Sequence, residues 1–569
     1  MVGRAWLMAV VIVLLTLTSF LPVLQNDFVA WDDGKNFLEN PGYRGLGAEQ
    51  IRWMFTNMRM GHYIPLTWLT LGFDYAVWGM DARGYHLTSL VLHAATAVAF
   101  FFVARRLLAS GRSGDLIADR AASAGAALAA LLFAVHPLRV ESVAWATERR
   151  DVLSGLFYLI ALLAYSKDTE RMGGRRSWYW ASLGLFACAL LSKSTAVSLV
   201  PVLLILDIYP FRRVGGRVGW WTSEARRIYA EKLPFAVLAT AASIVAFVAL
   251  IRLGNMASIG DIGLPGRVAI SIYSIAFYLW KTILPVHLSP MYELKPHPNF
   301  LSWPFLLSAI VVAAATALAL VLRRRWPPLL AGWTVYLVAL LPVLGIFQNG
   351  PQMAADRYSY LACLPWALMA GAALTWYWRA RPARPRVGVV AARVAATILV
   401  LGGLTWQQTR IWRNDVSLWS HALSLDPTNS VAANNLGVRL LAEGRVAEEQ
   451  RYLAQTVETV AGRPMDPRDS VAARFFSLGE ALQRGGDFAG AARYYEQALV
   501  LDPRLYEAWN NLGVIHVTRG EFLEGLAAFV RALETNPTYQ AACDNGRRAA
   551  KIVDTTAPVL ERCGRADGR

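Results

Sequence analysis

Residues 5–24 read AWLMAVVIVLLTLTSFLPVL, and the chain turns polar at Gln25 directly after them. This run predicts a membrane-spanning helix, because roughly 20 apolar residues cross the hydrocarbon, where no water can satisfy a bare backbone. A basic start and an apolar run also occur in cleavable signals, but no small-residue cleavage pattern precedes Asp27. We therefore predict an uncleaved anchor whose N-terminus lies in the cytoplasm.

The composition of the whole chain is that of an integral membrane protein. Of its 569 residues, 55% are hydrophobic and only 17% are charged, which excludes an ordinary soluble protein. Apolar runs like the first recur, and we predict an all-α polytopic bundle of about eleven spans. The spans after the first are predicted at residues 86–104, 121–138, 151–166, 178–192, 195–210, 233–251, 303–322, 329–346, 359–378 and 388–405.

Arginine and lysine are concentrated in alternate loops of this predicted bundle. Basic residues beside a span are retained in the cytoplasm. The loops predicted to be cytoplasmic are therefore 105–120, 167–176, 212–232, 323–325 and 379–386. The other loops then face outward, into the periplasm of a bacterial inner membrane or into a lumen. The net charge of +16 reflects this topology, and we see no basic, aromatic-interleaved soluble face of the kind that binds nucleic acid.

One apolar stretch, residues 267–288, breaks the alternation. Counting it as a span would place the three arginines of residues 323–325 outside. Its aromatic residues, together with Arg267 and Lys281, suit a helix that lies at the headgroup level. We predict an interfacial or re-entrant helix, and a twelfth span is the alternative.

Beyond the last predicted span the chain becomes polar and repeats itself. Leu478-Gly479 and Leu512-Gly513 lie one 34-residue period apart, which is the tetratricopeptide period, and a more degenerate copy opens at Leu436-Gly437. We predict a transmembrane domain over residues 1–405 and a C-terminal tetratricopeptide α-solenoid over 406–569. Because an odd number of spans starts inside, this solenoid is expected outside the cytoplasm.

Four cysteines are too few for a disulfide scaffold. Cys188 and Cys363 fall inside predicted spans, where cysteine packs as a small hydrophobe. Cys543 and Cys563 flank the last helical segment in what is expected to be an oxidising compartment, so a disulfide between them is a hypothesis.

Short motifs follow one another along the outward loops and the adjoining span ends. In order they are Trp31-Asp32-Asp33, His62-Tyr63-Ile64-Pro65-Leu66-Thr67-Trp68, Gly84-Tyr85-His86-Leu87, His136-Pro137, Glu141-Ser142-Val143-Ala144, Arg150-Asp151-Val152-Leu153, Ser192-Lys193 and Ala355-Asp356-Arg357-Tyr358. With the repeat tail, this series resembles the transmembrane O-mannosyltransferases with tetratricopeptide repeats, whose animal members target cadherins, and especially their bacterial relatives.

The resemblance implies a GT-C glycosyltransferase, an enzyme that takes a sugar from a polyprenyl-phosphate carrier on the outer leaflet. It implies transfer to serine or threonine hydroxyls of exported proteins, with mannose as the sugar by analogy alone. The implied partners are the carrier-linked sugar, acceptor proteins held by the repeats, and membrane lipids. Some GT-C enzymes use a divalent cation and the O-mannosyl branch is thought not to, so we assign no cofactor and leave the metal open.

Asp32 and Asp33 are the expected catalytic pair. A hydroxyl is a poor nucleophile at neutral pH, and a carboxylate within hydrogen-bond reach can take its proton as the bond to the sugar forms. Repulsion between neighbouring carboxylates raises the pKa of one of them, so the second is expected to orient substrate or to hold a cation. Direct displacement at the anomeric carbon would invert its configuration.

The leaving lipid phosphate needs fixed positive partners. The candidates lie at the outer ends of predicted spans and are Arg149, Arg150, Lys193 and Arg357. The alternative for each is a side chain that reaches the interface or pairs with a nearby acid.

A further set of residues is expected to bind substrate. Tyr63 and Trp68 are expected to stack on the sugar or, alternatively, to anchor the interface. The acidic residues of the second outer loop are expected to bind acceptor or a divalent ion, or only to pair with Arg149 and Arg150. The full set is His62, Tyr63, Trp68, Glu141, Glu148, Asp151 and Asp356.

Three rival functions remain open. A transporter or flippase would carry charges at mid-membrane depth, whereas these charges lie at span ends. A non-catalytic scaffold would need the anchor and the repeats but no acidic motif. A polysaccharide ligase or polymerase typically has its large outer loop late in the chain, whereas here the long loop follows the first span.

Overall fold

The computed structural model describes residues 2–29, 31–109, 116–169, 176–216, 219–253, 263–294, 298–347, 352–380, 387–442, 471–484, 487–555 and 557–563. The described chain is mostly helical and divides into two compact units. The first consists of Met1–Leu294 and Pro298–Leu418, and the second includes Trp419–Arg569. This division follows Leu418, a short distance beyond the domain boundary predicted after residue 405.

The helices up to the division form a bundle with short connecting turns. They are α1 Val2–Phe20, α2 Ala48–Thr56, α3 Pro65–Trp78, α4 Ala82–Ala109, α5 Leu116–Ala134, α6 Val140–Ala144, α7 Arg149–Asp168, α8 Ser177–Ser192, α9 Leu199–Ile208, α10 Ser223–Ala230, α11 Leu233–Leu253, α12 Leu264–Ile283, α13 Trp303–Val321, α14 Pro327–Leu340, α15 Ser359–Ala362, α16 Leu364–Ala380 and α17 Val387–Ile411. Two short strands, β1 Tyr292–Glu293 and β2 Gln352–Ala354, pair antiparallel.

The sequence predicts eleven spans, but fewer helices are long and apolar enough to cross a membrane. Among the described residues, five qualify: Ala5–Gln25, Ala82–Ala109, Ser223–Ile251, Trp303–Val321 and Gly388–Ile411. Two bent helix pairs raise the number to seven. Several other predicted spans coincide with shorter apolar helices, namely Ser177–Ser192, Ser194–Ile208 and Pro327–Val343. Breaks shorten these three apolar runs, whereas the predicted span 151–166 lies in α7, which is continuous but has charged residues at both ends.

The stretch predicted to be interfacial or re-entrant forms α12. Tyr278 on α12 is buried, and it belongs to a core cluster with Trp333 and Tyr336 of α14. Trp280 on the other face is 56% exposed. The helix therefore packs into the bundle along one side, and its depth in the membrane stays a prediction.

The second unit is a helical array. Its described helices are α18 Asp415–Leu425, which crosses the division, α19 Ser430–Ala442, α20 Val471–Arg484, α21 Phe488–Leu501, α22 Tyr506–Thr518, α23 Phe522–Thr535, α24 Gln540–Ile552 and α25 Pro558–Arg562. A side-chain carbon added to Gly479 would lie 2.6 Å from the ring of Tyr495, and one added to Gly513 would lie 2.7 Å from that of Phe529. Glycine thus lets paired helices approach in each repeat.

The disulfide hypothesised from the sequence is present in this array and joins Cys543 to Cys563. Both belong to the buried cluster that closes the end of the described array. Cys188 and Cys363 are free, as expected for cysteines within apolar segments. The hypothesis drawn from cysteine placement is therefore confirmed for the pairing.

Candidate functional site

A cavity of about 590 Å³ in the first unit is lined by six of the thirteen predicted site residues. Its polar part is lined by Trp31, Asp32, His62, Tyr63, Trp145, Arg150, Lys193 and Arg357. One carboxylate of the acidic pair thus shares a cavity with three of the four predicted phosphate-binding cations.

Much of the remaining lining is apolar. Helix α8 contributes Ala187, Leu190 and Leu191, and α11 contributes a strip that includes Ala241, Ala242 and Val245. Several other α11 side chains are exposed, as a helix beside lipid requires. The cavity lining therefore combines charged groups with hydrocarbon-like side chains.

The cations lie where apolar helices begin or break. Lys193 is the extended residue between α8 and the 3₁₀ turn Ser194–Ser198. Arg357 lies in the 3₁₀ turn Asp356–Tyr358, which precedes α15 in a helix pair bent by 50°. Arg150 lies in the first turn of α7. Irregular backbone of this kind in a membrane bundle is tolerated where it is buried in protein or lines a cavity.

Glu148 connects the three cations. Its carboxylate lies 2.5 Å from the Arg150 guanidinium, 3.0 Å from Lys193 Nζ and 3.3 Å from Arg357 Nε. Burial alone would raise the pKa of Glu148, but the three cations hold it well below its ordinary range. A single buried anion thus fixes the positions of all three positive groups.

The other two acids of this group also pair with cavity cations. The Glu141 carboxylate accepts hydrogen bonds from the backbone amide and the guanidinium of Arg357. The Asp151 carboxylate accepts a hydrogen bond from Lys193 Nζ at 2.6 Å. The acids Glu141, Glu148 and Asp151 therefore pair with basic residues, as the alternative prediction stated. Their partners are Arg150, which was expected, and Lys193 and Arg357, which replace Arg149. In the part of the chain that the structure describes, no cluster of three His, Cys, Asp or Glu side chains is arranged to hold a metal.

The two members of the acidic pair have different surroundings. Asp32 is half-buried in the cavity wall. Asp33 is fully buried, and its carboxylate accepts hydrogen bonds from the Thr147 amide at 3.0 Å, the Thr147 hydroxyl at 2.6 Å and the Val29 amide at 3.1 Å. Asp33 therefore joins its own loop to the loop that carries Thr147, whereas Asp32 lines the cavity.

The pKa values of both carboxyls are raised. For Asp32, burial raises the pKa, and Arg150 and Arg357 oppose part of that rise. For Asp33, burial raises the pKa to about 7, against the lowering effect of the hydrogen bonds from Thr147 and Val29. A carboxyl with a raised pKa is a better proton acceptor for a neutral hydroxyl than an ordinary one.

His62 and Tyr63 line the cavity as predicted, but Trp68 does not. Burial lowers the pKa of His62 well below its usual range, and Arg150 adds to the effect, so the ring is neutral at physiological pH. Trp68 is buried in an aromatic core with Tyr43 and Trp53. It supports the loop from behind because its apolar ring packs better there than at the wet cavity wall.

Arg149 is the predicted phosphate ligand that the structure places elsewhere. Its guanidinium lies 2.5 Å from the Asp74 carboxylate with both side chains fully buried, and it also donates to the Ser89 hydroxyl. Successive helical residues point in different directions, so Arg150 faces the cavity and Arg149 faces the core. The expectation that Arg149 binds the carrier phosphate is therefore corrected.

Asp356 lies behind the cavity. It accepts a hydrogen bond from the Tyr292 hydroxyl at 3.0 Å, while its neighbour Arg357 pairs with Glu141 and Glu148. The alternative that Arg357 pairs with an acid therefore describes its contacts, and the described partners are Glu141 and Glu148. Asp356 thus braces the turn that carries Arg357.

Two residues beside the acidic pair, Thr147 and Trp145, carried little signal in the sequence. Thr147 holds Asp33, and Trp145 stacks on Trp31 with ring centroids 4.5 Å apart. Asp74 was detectable, because it is a lone carboxylate within the apolar run of α3, and such a charge needs a buried partner.

The comparisons with known proteins agree with the two-part organisation. Residues 476–540 match the tetratricopeptide repeat family model. The chain is 24% identical over 499 residues to the Drosophila melanogaster protein O-mannosyl-transferase Tmtc3, across 78% of this chain and 52% of that protein. It is a distant relative of these protein O-mannosyltransferases. The predicted fold class is thereby confirmed: the chain is mostly helical, with candidate membrane spans followed by a tetratricopeptide region.

Other matches are more local. Over 155 residues the chain is 33% identical to the Xenopus laevis protein O-mannosyl-transferase tmtc2, which covers 27% of this chain and 17% of that protein. The solved MamA protein matches 26% of this chain and 76% of its own, with 17% identity and a TM-score of 0.20. The chain spans about half or less of the mannosyltransferases it matches.

Proposed function

We propose that this chain transfers a sugar from a polyprenyl-phosphate carrier to serine or threonine hydroxyls of exported proteins. One observation carries the proposal: Asp32 lines the same cavity as Arg150, Lys193 and Arg357, and that cavity continues between apolar helix faces. The distant relationship to protein O-mannosyltransferases supports the same reaction class. Mannose is the first sugar to test.

In the proposed step, the acceptor hydroxyl oxygen attacks the anomeric carbon. Asp32 takes the hydroxyl proton, the bond between that carbon and the phosphate oxygen breaks, and the electron pair leaves with the carrier phosphate. Because the acceptor enters opposite the leaving phosphate, the product has inverted configuration. Asp33 holds Asp32 in place through the Thr147 and Val29 hydrogen bonds.

The cations stabilise the departing phosphate. Arg150 and Arg357 present forked donors that suit phosphate oxygens, and Lys193 adds a compact charge. All three are already positioned by Glu148, so little reorganisation accompanies the step. The apolar walls of α8 and α11 suit the prenyl chain of the carrier.

The acceptor side of the proposal concerns the second unit. Tetratricopeptide arrays offer extended binding surfaces for peptides, and we assign this one to recruitment of the protein acceptor. Deleting residues from about 420 onward should therefore weaken transfer to proteins far more than binding of the carrier lipid.

We place the cavity and the repeats on the outer face of the membrane, for example the periplasmic face of a bacterial inner membrane. The support is the alternation of basic loops and the Cys543–Cys563 disulfide, since disulfides persist in oxidising compartments. Labelling of single-cysteine variants in intact cells tests this orientation.

Reconstitution tests the reaction itself. Purified protein supplied with a polyprenyl-phosphate sugar and a serine-bearing acceptor should give inverted product, and Asp32→Asn should reduce the rate by about 10²- to 10⁴-fold. Asp27→Asn is a matched control, because Asp27 is an exposed carboxylate on the same loop. A scaffold would retain partner binding in every variant and form no product, which would refute the proposal.

A further inference from the structure

The cavity wall is supported by three tryptophans from separate parts of the chain. Trp31 precedes Asp32 and stacks on Trp145 with centroids 4.5 Å apart and planes 11° apart. Trp412 stacks on Trp145 with centroids 5.9 Å apart and planes 29° apart. We call these three residues the tryptophan stack, of which Trp31 and Trp145 line the cavity.

Trp412 is the hidden member of the stack. It lies directly after α17 and is 1% exposed. It is absent from the cavity lining, so a substrate in the cavity contacts the stack through the other two members. Its large ring therefore packs behind Trp145, which lines the cavity.

The same end of α17 is tied to the chain that leads into the acidic pair. The Asp27 amide donates to the Arg413 carbonyl at 2.8 Å, and the Asn26 side chain donates to the Thr409 carbonyl at 3.2 Å. These bonds fix the start of the loop, while Trp412 fixes its aromatic wall. Asp32 lies at the other end of this fixed segment.

The stack also contacts the cation cluster. The Arg357 guanidinium lies 5.3 Å from the Trp145 ring and 6.0 Å from the Trp31 ring, within the range of cation–π attraction. Trp145 is followed by Thr147 and Glu148, which hold Asp33 and the three cations. A shift of Trp145 would therefore move both the proposed base and its opposing charges.

The geometry points to Trp412 as a positioning residue that holds the proposed base and cation cluster in register through Trp145. This inference rests on the proposed function for its catalytic consequence, but its structural consequence can be measured separately. Displacement of reacting groups by about 1 Å can reduce a rate about 100-fold, whereas the α8 and α11 side chains proposed to hold the prenyl chain are not part of the stack.

The test compares variants of the full chain. Trp412→Ala removes the supporting ring, Trp412→Leu keeps apolar volume without a flat face, and Trp412→Phe keeps an aromatic face. Trp406→Ala is the matched control, because Trp406 lies on the same helix but is 40% exposed.

Two measurements decide the outcome. Hydrogen–deuterium exchange over residues 26–36 and 145–148 should rise in Trp412→Ala and Trp412→Leu and stay unchanged in Trp412→Phe and Trp406→Ala. The kcat for a short peptide acceptor should fall about 10- to 100-fold in the first two variants, with KM for the carrier changed less than about threefold.

Unchanged exchange over both segments in Trp412→Leu would overturn the positioning role, whatever the activity. If Trp412→Ala does not fold, the leucine variant decides alone. A wild-type protein that transfers no sugar refutes the proposed function, and the exchange experiment still judges the role of Trp412.

Discussion

The Thr147 hydroxyl donates to the Asp33 carboxylate at 2.6 Å, and the Thr147 amide donates to the same oxygen at 3.0 Å. This pair joins two loops that are far apart in the sequence. Its members are both buried, so each depends on the other for hydrogen bonding. Among the described residues, no comparable hydrogen bond ties the neighbouring Asp32 carboxylate to another loop.

Substitution of Asp33 should therefore destabilise the fold, whereas substitution of Asp32 should not. Asp33→Asn places an amide against backbone donors, and the unsatisfied groups should cost about 1–3 kcal/mol. Thr147→Val should cost a similar amount by removing the hydroxyl. Thermal unfolding in detergent measures both, and Asp32→Asn is the control. Equal melting temperatures for the two asparagine variants would contradict this division of roles.

The raised pKa of Asp33 predicts a pH dependence of stability. The pKa of about 7 in the folded state lies above the unfolded value of about 4. The folded state then binds the extra proton between these values, so the contribution of Asp33 to stability is complete at low pH and is lost as pH rises through 7. Unfolding measured from about pH 5 to 8 should show this decline in the wild type, and Asp33→Asn should remove it. A decline of equal size in the variant would assign the effect to another group.

Glu148 should be indispensable for folding because it is the common partner of three cations. Glu148→Gln leaves Arg150, Lys193 and Arg357 without their shared anion, and breaking a buried pair costs about 3–5 kcal/mol. Combining it with Lys193→Met removes one of the stranded charges, so the double variant should lose less than the sum of the two single variants. Denaturation of all three variants measures this coupling, with Glu39→Gln on an exposed acid as control. Strictly additive losses would show that Glu148 and Lys193 act independently.

The cations that line the cavity could be singled out from sequence because charge at the end of an apolar run is costly and therefore conspicuous. Arg150, Lys193 and Arg357 were all found this way and lie in one cavity. Their carboxylate partners could not be assigned, because a side chain's direction depends on how the helices pack. Lys193 has no acid beside it in the sequence but contacts both Glu148 and Asp151 in space.

The repeats were predicted more securely than the spans. A glycine that admits an aromatic ring, such as Gly479 against Tyr495, leaves a periodic trace in the sequence. A broken helix leaves only a local signal, such as a single proline, and no period to support it. The break between Ala134 and Pro137, where two helices meet at 58°, is of this kind, and Glu141 lies just beyond it.

Arg149 supplies the sharpest contrast between sequence and structure, since it adjoins a cavity residue and faces the core. Arg149→Ala leaves Asp74 buried without its partner, which should cost about 3–5 kcal/mol, whereas Arg149→Ala with Asp74→Leu should recover much of that loss. Binding of a polyprenyl phosphate to the double variant should match the wild type, because neither residue lines the cavity. Arg150→Ala is the comparison, and it should weaken that binding by about tenfold or more, as expected for a charged hydrogen bond worth about 1.5–3 kcal/mol. If the Arg149 double variant folded well but lost carrier binding as strongly as Arg150→Ala, Arg149 would be a phosphate ligand and its assignment to the core would be wrong.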